Sequence, residues 1–270
     1  MGQPGQRHLK ALMDATLLAG HGSLITASGE AMVRLADILR EEGTSPIVEA
    51  GFINYSRPTF AEAVAKCAHL GATRIIVQPY LLIDGYFSQT LIPRLIKEAV
   101  STRPGLKFLI TGALGFHPSL VELVQHRAIT ALADYPLDET GLLVMAHGTP
   151  KTGVIEPIEL LAESLRKTFS EVAIGYMENN KPTIPDAADD LVARGVRRII
   201  ALPYFLHLGG HVTEDLPATV TFLRQQHSEM TYLLAEYLGF DYRLADVVKS
   251  RLAECLRNST NSYASSKPEG

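Results

Sequence analysis

Short apolar runs alternate with stretches of helical period along the whole chain. In the second half the runs fall at 141–146, 171–177, 197–206 and 230–236. Between them lie segments of helical period at 153–168, 183–194 and 213–227, with a last one near 241–257. The runs are apolar on both faces, as in Ile199-Ile200-Ala201-Leu202-Pro203-Tyr204-Phe205-Leu206. That pattern suits parallel strands covered by helices on both sides. Strand–helix alternation predicts right-handed βαβ units and an α/β, doubly wound, Rossmann-like sheet, with strand order 2-1-3-4 in each half.

The pattern occurs twice. Residues 48–93 align with 172–217 without a gap at an offset of 124, and Leu17–Ser23 matches Leu143–Thr149 at an offset of 126. A period this long marks a duplicated domain rather than a solenoid. The sequence therefore predicts an N-terminal domain over 1–137, a C-terminal domain over 138–257 and a cleft between them. Each domain is a four-stranded parallel sheet flanked by helices. The remainder, 258–270, is rich in Ser and Asn and predicts a disordered tail.

Composition narrows the class. Of the 270 residues 46% are hydrophobic and 20% charged, and the net charge is −4. These are globular values, with no basic excess to hold nucleic acid through its phosphates. The two cysteines, Cys67 and Cys255, belong to no Cys-x-x-Cys pair, which argues against a disulfide scaffold, a cysteine zinc site or an iron–sulfur cluster. No apolar run reaches the length of a membrane span. The expectation is a cytoplasmic protein without a membrane partner.

In an open parallel sheet, ligands bind beyond the carboxyl ends of the strands where strand order reverses. In the second half the first strand ends at His147, the second at Glu178, and the third runs into Leu208-Gly209-Gly210-His211. Adjacent strands would bring two imidazoles and a carboxylate to one rim. Such a set suits an open site for a first-row divalent metal, and equally suits proton abstraction. Each residue also has a plainer role: His147 as a loop hydrogen-bonder, Glu178 as a solvated loop acid, His211 packed over its turn. His207 lies one pleat away and could reach the same rim, although a core role suits it better. The turn at Gly209-Gly210 could bind an anion at a helix start, but no Gly-x-Gly-x-x-Gly or Gly-Lys-Ser/Thr loop supports a nucleotide.

Leu-x-x-x-His-Gly-Ser/Thr after the first strand, a Glu four residues before Pro, Gly-x-x-Arg-Ile-Ile-x-x-Pro-Tyr-Phe-Leu and Gly-Gly-His-Val together resemble the sirohydrochlorin chelatases. These are class II chelatases of the cobalamin and siroheme pathways. The resemblance covers residues 15–257, in the long, duplicated form of that family. It implies insertion of Co²⁺ or Fe²⁺ into the tetrapyrrole sirohydrochlorin without ATP, and the sequence leaves Ni²⁺ open as well. It also implies that His147 and His211 handle the metal and that Glu178 acts as the acidic partner. Lys151 and Lys181 are the cations expected to hold the carboxylates of the pigment, or else are solvated loop lysines. The first half departs from the motif, with His21 retained but Asn54 and Phe87 in place of the Glu and the second His. One working site, in the second half, is the expectation. The alternatives are a tetrapyrrole or metal carrier without turnover, and a phosphate- or nucleotide-binding protein.

Overall fold

In the computed structural model, residues 13–23 and 29–264 are described. The first half runs β1 (Asp14–Gly20), α1 (Glu30–Glu41), β2 (Ile47–Phe52), α2 (Phe60–His69), β3 (Arg74–Tyr80), α3 (Ile92–Thr102), β4 (Lys107–Ile110) and α4 (Pro118–Leu132). The second runs β5 (Thr140–Ala146), α5 (Glu156–Leu165), β6 (Glu171–Tyr176), α6 (Ile184–Ala193), β7 (Arg198–Pro203), α7 (Leu216–Gln226), β8 (Thr231–Leu234) and α8 (Arg243–Ala264). All pairings are parallel, and the two sheets have the orders β2-β1-β3-β4 and β6-β5-β7-β8. The central strands β1 and β5 are buried almost end to end, as their unbroken apolar runs require.

Local signals repeat with the period. Thr59 and Glu62 close a capping box on α2, and Thr183 and Asp186 do so on α6. Gly51 and Gly175 let those helices approach their strands: a Cβ on Gly175 would lie 2.6 Å from Ile184 Cα. Helices α2 and α3 cover the outer face of the first sheet, and α6 and α7 that of the second.

The inner faces are shared. A single core joins Leu18, Val48 and Ile76 of one sheet to Leu142, Val144 and Ile200 of the other, through residues of α1, α4, α5 and α8. Within it the fourth helices are exchanged. Helix α4 packs beside α5 on β7 and β8, and α8 packs beside α1 on β3. The strands of each sheet come from one side of residue 137 in the chain, whereas these two helices each pack on the other half's sheet. Two arginines fasten the exchange. Arg127 of α4 donates to the carbonyls of Tyr237, Leu238 and Phe240, at 3.2, 3.0 and 3.2 Å. Arg251 of α8 donates to those of Leu114, twice, and Phe116, at 2.9, 2.7 and 2.7 Å.

One expectation is corrected. Helix α8 runs to Ala264, so residues 258–264 of the predicted disordered tail are helical. Helix propagation from a docked segment outweighs the weak propensity of Ser, Asn and Thr. Residues 265–270 lie outside those described. No described helix is long and apolar enough to cross a membrane.

Candidate active site

The loops after β5 and β6 are laced together. Met177 N–H donates to Ala146 O, and Glu178 N–H to His147 O, each at 2.9 Å. Asn180 Oδ1 accepts from Thr149 N–H at 2.6 Å. Gly148 makes this closure possible: its φ is +89°, and a Cβ there would sit 1.9 Å from the carbonyl oxygen of Glu178. Only glycine fits, so the residue after His147 fixes where the imidazole stands.

His211 arrives from the other side of β5. After Gly209-Gly210 the chain enters a π-helical turn, His211–Asp215, in which Leu216 N–H bonds His211 O, before α7 begins. Such wide turns recur at functional sites. The turn sets Asp215 Oδ2 2.7 Å from His211 Nδ1.

The two imidazoles meet, with ring centroids 5.0 Å apart and planes at 66°. Phe205 lies against both, at 6.4 and 6.2 Å. The rim is open: His147 is exposed, and the His211 side chain is 43% exposed. Hydrogen-bond partners fix the tautomers. His147 Nδ1 faces Gly148 O at 3.0 Å, and a carbonyl only accepts. His211 Nδ1 faces a carboxylate. Both Nδ1 atoms therefore carry the proton, and both Nε2 atoms keep a lone pair for a cation.

Glu178 was expected at the same rim. Its main chain is tied to His147, but its side chain is exposed, and among the described residues no three His, Cys, Asp or Glu side chains stand together as a metal-holding set. A carboxylate that leaves water without a partner loses its hydration with nothing to offset it. Lys181 reaches Asp186 at 3.4 Å, and Lys151 lies exposed on the loop after β5. The ring of His207 packs on Tyr80 of the first half, with centroids 5.4 Å apart, and faces Gly20. The sequence reading missed Asp215. Its signal, an acid four residues after a candidate ligand at a helix start, is common to many solvated helices.

The first half shows the same frame without the free lone pairs. Asn54 Oδ1 accepts from Gly22 N–H at 2.9 Å, which turns the amide nitrogen toward His21 Nε2 at 3.2 Å. His21 Nδ1 lies 2.5 Å from Gly22 O. Both ring nitrogens of His21 are thus engaged. In the second half the position of Asn54 is held by Glu178, whose carboxylate has no N–H to give. Phe87 stands where the second half has His211, and its ring lies 4.9 Å from that of His21.

Comparison with known proteins agrees with the duplication. The CbiX family model matches twice, over residues 15–131 and 141–255. A sirohydrochlorin cobaltochelatase of Priestia megaterium is 25% identical over 248 residues, spanning 90% of this chain and 80% of that protein. A sirohydrochlorin ferrochelatase of the same organism is 25% identical over 256 residues, spanning 93% and 94%. Among solved structures, SirB from Bacillus subtilis with Fe³⁺ superposes with a TM-score of 0.80 at 20% identity, covering 93% of this chain and 98% of that one.

Proposed function

Since the chain belongs to the CbiX family, we propose that it is a sirohydrochlorin chelatase that inserts Co²⁺ or Fe²⁺ at the rim formed by His147 and His211. The observation that carries the reading is the imidazole pair, 5.0 Å between centroids, with no hydrogen bond to either Nε2 among the described residues. Imidazole nitrogen suits both metals. Here the metal is a substrate, so a site of two protein donors with open positions suits a cation that must leave.

Insertion replaces two pyrrole N–H bonds by bonds to the metal, and two protons are released. As the cation passes to the macrocycle, the Nε2 lone pairs that held it become free to accept those protons. Imidazole accepts and returns protons near neutral pH, so the site resets without a nucleotide. Glu178, on the loop laced to His147, serves as charge partner and passes protons to solvent from its exposed position. Lys151 and Lys181 flank the rim as cations for the carboxylates of the pigment. Lys181 must share its charge with Asp186, which leaves Lys151 the better placed.

The test mixes protein, metal-free sirohydrochlorin and Co²⁺ or Fe²⁺, and follows the absorption spectrum against the uncatalysed rate. His147→Ala and His211→Ala should each lose about 10²–10⁴-fold in rate. His21→Ala should lose less, because its lone pair is already taken by Asn54. Pigment binding without acceleration by either metal would make the protein a carrier. A dead His21→Ala with an active His211→Ala would put the working site in the first half.

A further inference from the structure

The rim of the first half is rebuilt in aromatic rings. At an offset of 124, Asn179 of the second half corresponds to Tyr55, Gly210 to Tyr86, His211 to Phe87 and Asp215 to Leu91. Each exchange removes a polar group or bare backbone; two of the four add a ring, and a third replaces an imidazole by a phenyl ring. The rings form a chain: Tyr86 lies 5.8 Å from Phe87, Phe87 4.9 Å from His21, and His21 6.0 Å from Tyr55. The two ends are open to solvent, with Tyr55 70% and Tyr86 61% exposed.

Tyr55 also sits at φ +55°, in the left-handed region, where its counterpart Asn179 has φ +63°. Asparagine enters that region readily, but a bulky side chain there is a strained outlier. An exposed ring gains little from burial to offset the strain, and strain of this kind gathers at functional sites. We propose that Tyr55, Tyr86 and Phe87 with His21 form a stacking surface for the flat conjugated macrocycle of the tetrapyrrole. Aromatic faces and edges hold a planar π-system without needing its polar groups. The two halves touch close to both sites in sequence: His207, four residues before His211, packs on Tyr80 and faces Gly20, the residue before His21. The inference rests on the chelatase reading and assigns the two tasks to different halves, metal to the second and pigment face to the first.

The experiment is equilibrium titration with metal-free sirohydrochlorin, with no metal present, alongside thermal unfolding. Tyr55→Asn installs the residue that the second half uses. If the ring served the fold, this variant would lose stability. The stacking surface predicts a gain in thermal stability together with weaker pigment binding. Tyr55→Asn and Tyr86→Ala should each raise Kd for the pigment by about 3–10-fold, and Tyr86→Phe should hold it within about 2-fold. KM for pigment should rise more than kcat falls, as expected when binding common to ground and transition states is removed. A Tyr55→Asn/Tyr86→Ala double variant that binds and metallates pigment like the parent overturns the stacking surface alone. A parent protein that neither binds nor metallates sirohydrochlorin overturns the chelatase reading with it.

Discussion

Replacing Arg251 by Ala should loosen the joint between the halves. Its guanidinium, on α8, makes three hydrogen bonds to the carbonyls of Leu114 and Phe116 and an ion pair with Glu254 at 2.8 Å. The side chain is 17% exposed, whereas that of Glu254 is 42% exposed. The ion pair is thus a surface pair, worth about 0–1 kcal/mol. The carbonyls matter more, since each buried acceptor stripped of its partner costs about 1–3 kcal/mol. Two such groups, with some water able to enter from the exposed side, put the loss at about 2–4 kcal/mol. For a chain of this size that lowers Tm by about 4–7 °C. Urea unfolding followed by circular dichroism reads the change directly. Glu254→Gln should cost under about 1 kcal/mol. Arg251→Lys should recover only part of the loss, because an ammonium lacks the planar fork. Arg127→Ala should resemble Arg251→Ala, because it clamps the matching loop from the other side. An Arg251→Ala protein within about 0.5 kcal/mol of the parent, the scatter of ordinary surface changes, would refute the clamp.

Three further outcomes follow from the site. Asp215→Ala frees the His211 ring to rotate and change tautomer, and should weaken Co²⁺ binding, read by equilibrium dialysis, by about 10–100-fold. Gly148→Ala forces a Cβ against Glu178 O and should lower both Tm and insertion rate, whereas Gly153→Ala, also at positive φ but with nothing near, should lower only Tm. His117 caps α4 by accepting from Ser119 N–H at 3.1 Å, and burial, with Arg251 nearby, lowers its pKa below the ordinary 6.5. Its folded-state pKa is depressed, so its contribution to stability is present above 6.5 and is lost as pH falls through the folded value. His117→Asn, which keeps a capping oxygen, should flatten that limb of the stability–pH curve; an unchanged limb would remove His117 as its source.

The strands were legible because both of their faces are apolar, and the strand order followed from the alternation. That His147 and His211 meet was legible, because topology places strand ends together whatever the side chains do. The helix exchange was not, since the apolar positions of α4 and α8 fit either sheet and nothing local tells one from the other. For Glu178, spacing gave the place of the backbone alone, since solvation sets where a lone carboxylate points. Residues 258–264 misled through composition, because a helix already docked extends through residues that would not start one.

The exchange of α4 and α8 also governs what this gene can lose. The first half has given up the free imidazole pair and could be taken for a relic awaiting deletion. Yet the segment that covers β7 and β8 is encoded before residue 133, and the segment that covers β3 is encoded after residue 242. A truncation at the repeat boundary would leave each product with one wall missing and the other half's helix hanging free. Packing therefore ties the two copies together, so that the first half cannot be dropped without unroofing the second.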